Sequence, residues 1–298
     1  MTKIFCLVGP TGVGKTEIAV ELAQKYNLEI ISADSRQIYK YLDIGTAKSY
    51  FKINMIDIIT PDILYSAADF ARDCKKVIDR LTQQKKEFIL VGGSGLYLKA
   101  LFEPFFESAP RNLMLRKILE KEPIEKMYNN LKIIDPISAE RIKPHDRQRI
   151  IRALELYETT RKPLSEQLKQ KHPKSEFIPY YVGLTMPRKI LHEKINNRFE
   201  QMIEDGLVDE VKRLLKIGYT KEDNALNGIG YQEIIRFLDG KLSLMQAIQI
   251  AKTRSRQYAK RQMTWFNKVE GIRWVEYTTS GETVSKINQE YKAYLNKI

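Results

Sequence analysis

The sequence predicts an α/β protein: a parallel sheet flanked by helices, carrying a helical insertion domain. Three observations lead there. Short apolar runs alternate with helical periodicity through the N-terminal third of the chain, the pattern of repeated βα units. A glycine-rich loop, Gly9-Pro10-Thr11-Gly12-Val13-Gly14-Lys15-Thr16, joins the first apolar run to the first helical pattern. Strand patterns then stop near Ala109 and return at Tyr180.

The first element is Ile4-Phe5-Cys6-Leu7-Val8, a continuous apolar run of the kind that forms a buried parallel strand. Past the glycine loop, Ile18, Ala19, Leu22 and Ala23 share one helical face. Glu29-Ile30-Ile31-Ser32-Ala33 is the second strand, ending at Asp34. A helix is expected from about Ala67 to Leu81, then a buried strand, Phe88-Ile89-Leu90-Val91, which runs into Gly92-Gly93-Ser94-Gly95. From Ala109 to Lys174, charged helical segments are separated by Pro123, Pro136, Pro144 and Pro163. Tyr180-Tyr181-Val182-Gly183-Leu184-Thr185 reads as a returning strand of the main sheet. Pro187 then sits near the start of a long helix, where its missing N–H costs nothing. The remainder is mostly helical up to a late strand, Ile272-Arg273-Trp274-Val275. The expected division is a core, 1–108 with 178–298, and an insertion, 109–177.

At 298 residues, 43% hydrophobic and 10% aromatic, the chain can bury a core, which excludes wholesale disorder. No stretch approaches the roughly 18 apolar residues of a membrane span, and the opening apolar run is too short for a secretory signal. Two cysteines, Cys6 and Cys74, exclude a disulfide framework and a four-thiolate zinc site. A reduced, cytoplasmic setting is expected. His145, His172 and His192 lack metal-ligand spacing. With 50 Lys+Arg against 37 Asp+Glu, the net charge of +13 points to an anionic partner.

The glycine loop fits G-x-x-x-x-G-K-[ST] between a strand and a helix. In that setting the N–H groups from Gly9 to Thr16 and the helix N-terminus converge on an anion. Lys15 supplies positive charge to a distal phosphate, and the Thr16 hydroxyl is placed to ligate Mg²⁺. Enzymes that hydrolyse nucleotides on such a loop usually end a further strand in an acid that holds the metal. Here that strand ends Val91-Gly92-Gly93-Ser94-Gly95, without a carboxylate. The nearest strand-end acid is Asp34, expected beside the phosphate loop because parallel strands deliver their carboxyl ends to one crevice. Asp34 also suits a helix N-cap, a role compatible with the first. By themselves these residues leave open a small-molecule kinase and a non-catalytic RNA-binding protein that uses the loop as a switch.

Further segments add to the loop. Asp34-Ser35-Arg36-Gln37-Ile38-Tyr39, Asp43-Ile44-Gly45-Thr46-Ala47-Lys48 and Gly92-Gly93-Ser94-Gly95-Leu96-Tyr97 follow it in order. Asp146-Arg147-Gln148-Arg149-Ile150-Ile151-Arg152-Ala153-Leu154-Glu155, Arg198-Phe199, Ile229-Gly230-Tyr231 and Gln257-Tyr258-Ala259-Lys260-Arg261-Gln262 come later. Together they resemble the tRNA dimethylallyltransferases over nearly the whole chain, insertion included. The resemblance implies a P-loop NTPase-like fold, similar to nucleotide kinases, whose loop holds the diphosphate of a prenyl donor. It implies transfer of a dimethylallyl group from dimethylallyl diphosphate to N6 of the adenosine 3′ of the anticodon, with Mg²⁺ as cofactor. The implied partners are the tRNA anticodon stem-loop and dimethylallyl diphosphate, and the expected state is a monomer.

The resemblance also implies roles. Asp34 is the expected base for the amine, and Lys15 and Arg198 the expected cations on the leaving diphosphate. Ser94 stands where relatives commonly carry threonine and keeps the hydroxyl. Asp34, Ser35, Arg36, Gln37 and Ser94 are expected to meet the flipped adenosine and its neighbours. Gln148, Arg149, Ile150, Ile151 and Arg152, with Gly228, Ile229, Gly230, Tyr231 and Gln232, match segments that contact tRNA. Gln232 replaces a basic residue often found there. Lys252, Arg254, Arg256, Lys260, Arg261 and Lys268 form a basic stretch without an acid. Within it Arg254, Tyr258, Arg261 and Trp265 share a helical face, suited either to RNA or to a solvated helix whose aromatics pack inward.

Overall fold

The apolar runs form strands because sheet and helices bury them on both faces. The computed structural model describes residues 1–103, 109, 111–169 and 175–297. In order, the chain forms β1 (Thr2–Val8), α1 (Lys15–Tyr26), β2 (Glu29–Ala33), β3 (Ile53–Asn54), α2 (Ala67–Gln83), β4 (Phe88–Gly92) and α3 (Gly95–Phe102). Next come α4 (Leu113–Leu119), α5 (Ile124–Ile134), α6 (Pro136–Arg141), α7 (Arg147–Thr160) and α8 (Leu164–Gln167). The sheet resumes with β5 (Phe177–Thr185), followed by α9 (Arg188–Glu204), α10 (Leu207–Lys216), α11 (Tyr231–Leu238), α12 (Leu244–Phe266), β6 (Arg273–Glu276) and α13 (Ser280–Leu295).

The strands form one sheet in the order β3-β2-β4-β1-β5-β6, with every neighbouring pair parallel. The register positions the site. Gly92 pairs with Val8 on one side and with Ala33 on the other. Three adjacent strands therefore end at one level and deliver Gly9, Gly93 and Asp34 to the same edge. The short β3 was not anticipated: two residues are too few to make a pattern, and Ile53 and Asn54 are held by pairing with Ile30 and Ile31. A capping box between Ser66 and Asp69 starts α2 at Ala67, as expected. Below the sheet, Phe5 meets Tyr180, Tyr291 and Tyr294 with ring centroids 5.9, 5.2 and 5.6 Å away.

The chain divides into two compact units, Met1–Glu103 with Ser175–Ile298, and Pro104–Lys174. The Ser175 hydroxyl donates to the Leu101 carbonyl at 2.7 Å, tying together the two points where the first unit is interrupted. The second unit is helical and has its own core of Met127, Leu131, Ala139, Ile142 and Leu154. Ile150 and Ile151 belong to that core and are fully buried. The expectation that they touch RNA is thus corrected: with Leu154 they form the apolar stripe of α7. Arg152 is half-buried. Its guanidinium donates to buried Glu155 at 2.6 Å and to the Ala109 carbonyl at 2.7 Å, while Arg116 and the Asn112 N–H take up the rest of that carboxylate. Gln148 and Arg149 remain exposed on α7.

Among the described residues no helix is long and apolar enough to cross a membrane, and no group of three or more His, Cys, Asp and Glu is arranged to hold a metal. Both cysteines are free and buried. His145 is exposed and His192 half-buried; His172 lies outside the described residues.

Candidate active site

A cavity of about 710 Å³ opens at the carboxyl edge of the sheet, lined wholly by the first unit. Thr11, Gly12, Gly14, Lys15 and Thr16 bring the phosphate loop to it, and Asp34, Ser35, Arg36 and Gln37 bring the end of β2. Lys194 and Arg198 enter from α9, and Arg254, Tyr258, Arg261 and Gln262 from α12. Ile229 reaches it from the loop before α11.

The phosphate loop wraps because Gly12 and Gly14 sit at φ +82° and +95°, angles that a side chain penalises. Lys15 folds back and donates to the Pro10 carbonyl at 2.8 Å. Removal from water holds its ammonium down to about 8; Asp34 pulls upward, and the charge of Arg198 lowers it further. Arg198 donates to the Thr11 hydroxyl at 2.7 Å. It is open to solvent from the cavity yet crowded by protein, which lowers its proton affinity against the opposing pull of Asp34. The Thr16 hydroxyl lines the cavity and has no hydrogen-bond partner among the described residues.

Two loop positions differ from expectation as diphosphate ligands. Pro10 has no N–H to offer, and its carbonyl is taken by Lys15. The Thr11 N–H donates at 2.8 Å to the side-chain oxygen of Gln262.

Asp34 follows the last residue of β2. Its Oδ1 accepts from the N–H groups of Arg36 at 2.7 Å and Gln37 at 3.3 Å. No helix begins there, so the expected N-cap is corrected to a turn cap; residues 35–38 form the turn. Oδ2 has no hydrogen-bond partner among the described residues. Beside it, the Ser94 hydroxyl accepts from the Ser35 N–H at 3.0 Å, and Tyr258 lines the cavity together with Asp34. Burial first, then Asp34, push the Tyr258 phenol up to about 12, so it stays a neutral donor.

Several residues expected at the RNA are spent within the protein. Arg36 donates to the Asn224 carbonyl at 2.8 Å, and the Gln37 amide donates to the Thr46 and Ala47 carbonyls. Tyr231 is 1% exposed and donates its hydroxyl to buried Glu210 at 2.7 Å. Gly228 and Gly230 are buried, and Gly230 opens α11. Gln232 donates to Asn227 and accepts from Arg254. The basic stretch of α12 is likewise half consumed: Lys252 pairs with Glu200, Arg254 with Glu233 and Arg256 with Asn196. Lys260, Arg261 and Lys268 stay exposed. Trp265 packs over Gly95 instead of facing outward. Periodicity located this face but not the partners on other helices, Glu200, Glu233 and Asn196, that occupy half of its cations.

Two buried polar residues were missed as parts of the site, Glu210 and Gln262. Both had a signal. Glu210 interrupts the apolar stripe of Leu207, Val211 and Leu214, and Gln262 that of Ala259 and Phe266. A polar side chain at an apolar helical position needs a buried partner.

The family described as IPP transferase matches residues 37–269. The tRNA dimethylallyltransferases of Alkaliphilus oremlandii and Acetivibrio thermocellus are 41% and 42% identical, over 99% of this chain and 99% and 98% of theirs. Among solved structures, the tRNA isopentenylpyrophosphate transferase of Staphylococcus epidermidis is similar at 33% identity and a TM-score of 0.71, covering 99% of this chain and 100% of that one. A eukaryotic dimethylallyltransferase acting on tRNA is similar at 29% identity and a TM-score of 0.81, over 99% of this chain and 79% of that one. With matches of this breadth and a six-stranded parallel sheet of the same kind, the chain belongs to the IPP transferase family, the tRNA dimethylallyltransferases.

Proposed function

We propose that the cavity joins dimethylallyl diphosphate to N6 of the adenosine 3′ of the anticodon in tRNA and releases diphosphate. The register of β1, β4 and β2 carries this reading, because it sets a phosphate cradle and an aspartate on one cavity with no acid at the end of β4 to activate water. The N6 lone pair attacks the allylic carbon, the carbon–oxygen bond breaks, and its electrons pass to the diphosphate oxygen. The N6 proton goes to Asp34 Oδ2, the carboxylate oxygen free of backbone donors. Lys15, Arg198 and the remaining loop N–H groups meet the charge that grows on the leaving group. Ser94 and Tyr258 stand beside Asp34 to orient the amine.

Mg²⁺ fits this donor set. One unpartnered hydroxyl, Thr16, with diphosphate oxygens and water supplies the hard oxygen ligands it prefers. When bound, the ion neutralises charge on the departing diphosphate.

The target base must leave its stack to reach the cavity, at a cost of a few kcal/mol. Arg261 and Lys260 on α12, with Gln148 and Arg149 on the insertion, are the proposed docking groups for the stem-loop. The proposed working unit is a monomer, in the cytoplasm where tRNA is handled. The test is incubation with labelled dimethylallyl diphosphate and tRNA, then mass spectrometry of the nucleosides. Prenylated adenosine is expected. Phosphoryl transfer from ATP to a metabolite, with no prenylated tRNA, would overturn the reading.

A further inference from the structure

Gln262 lies on α12, 7% exposed, with its amide clamped between two loops. Its side-chain oxygen accepts from the Thr11 N–H of the phosphate loop at 2.8 Å. Its nitrogen donates to the Gly93 carbonyl, past the end of β4, at 2.9 Å. The clamp is tight: a Cβ on Gly93 would lie 2.3 Å from that nitrogen and 3.0 Å from the Gly9 carbonyl. No side chain fits between the two loops where this amide passes.

The bridge continues in both directions. Thr11 also receives Arg198 on its hydroxyl. Gly93 leads to Ser94, whose N–H donates to the Ala33 carbonyl at 3.3 Å and whose hydroxyl holds the Ser35 N–H. Ala33 and Ser35 flank Asp34. One amide thus lies in a hydrogen-bonded path from the leaving-group cation to the segment that carries the base. The Thr11 N–H is turned toward Gln262, so at this position the loop is an anchor.

We infer that Gln262 is a positioning residue, which sets the separation between the diphosphate cradle and the acceptor-side loop of Ser94 and Asp34. The inference rests on the prenyl-transfer reading. Transfer requires the amine, the allylic carbon and the leaving oxygen to be aligned together, and a misplacement of about 1 Å costs on the order of 100-fold in rate. Neither half-site needs the bridge to bind its own ligand, so the effect belongs in turnover.

The test compares the wild-type chain with Gln262→Met and Gln262→Glu in single-turnover transfer from dimethylallyl diphosphate to an anticodon stem-loop RNA. Gln262→Met keeps the volume and removes both hydrogen bonds. Its expected rate constant is about 100-fold lower, with donor KM and RNA Kd within about threefold of wild type. Gln262→Glu keeps the acceptor for Thr11 and donates to Gly93 only when protonated. Its rate, as a ratio to wild type at each pH, should rise as pH falls through the carboxyl's titration, a response that a packing role would not give. A Gln262→Met rate near wild type, or a loss carried by KM alone, overturns the inference. If Gln262→Met does not fold, a pH-independent ratio for Gln262→Glu overturns it. Failure of the wild type to prenylate the RNA would instead refute the functional reading, so the two failures are told apart.

Discussion

Asp34 divides its labour between two oxygens. Oδ1 holds the turn through Arg36 and Gln37, which leaves Oδ2 for the amine. Asn in its place keeps an acceptor for the turn but cannot take a proton. Asp34→Asn should therefore lower the transfer rate by about 10²–10⁴-fold, while RNA affinity, measured by filter binding, changes little. Lys15 gives a second prediction. Burial holds its ammonium down to about 8, and the donor's diphosphate binds the charged form. Below that pH the cation is present and affinity is level; above it each unit of pH should weaken donor binding by up to about tenfold. Calorimetric titration of dimethylallyl diphosphate checks this, and Lys15→Arg should flatten the profile, because arginine stays charged.

At the scale of elements, Glu210 of α10 explains why distant segments carry motifs. Its buried carboxylate accepts from the N–H groups of Asp43, Ile44 and Gly45 at 2.9, 2.8 and 3.2 Å and from the Tyr231 hydroxyl. That fixes the segment whose Gly45, Thr46 and Ala47 line the cavity. Glu210→Gln would turn an amide donor toward groups that are all donors. It should cost about 2–4 kcal/mol of stability by urea unfolding. The motifs of the loop and of α11 were legible as local strings of residues. That they converge on one acid was not, because the contact joins positions far apart in sequence. The same reason hid the partners of Lys252 and Arg254. A basic run shows its charge in sequence, whereas the carboxylates that cancel part of it come from α9 and α11.

Across the whole molecule, the strands were legible because both faces are buried and the runs are nearly continuous in apolar residues. The two-residue β3 was not, since pairing alone makes it. Phosphate loop and strand-end aspartate were also readable, each sitting directly after an apolar run. The order β2-β4-β1 was not, and it decides which strand ends meet. Net charge gives the prediction at this scale. The net +13 should make tRNA affinity fall steeply with salt as counterions are released. Arg149→Ala should reduce the logarithmic slope by about one and weaken all tRNA sequences alike.

The Ser175–Leu101 hydrogen bond has an evolutionary consequence. Because departure and return meet at a single doorway, lengthening or shortening everything beyond it adds almost nothing to the entropic cost of closing the sheet. The insertion can therefore drift in size and surface to suit a different nucleic-acid shape, while the chemistry at the strand ends keeps its dimensions.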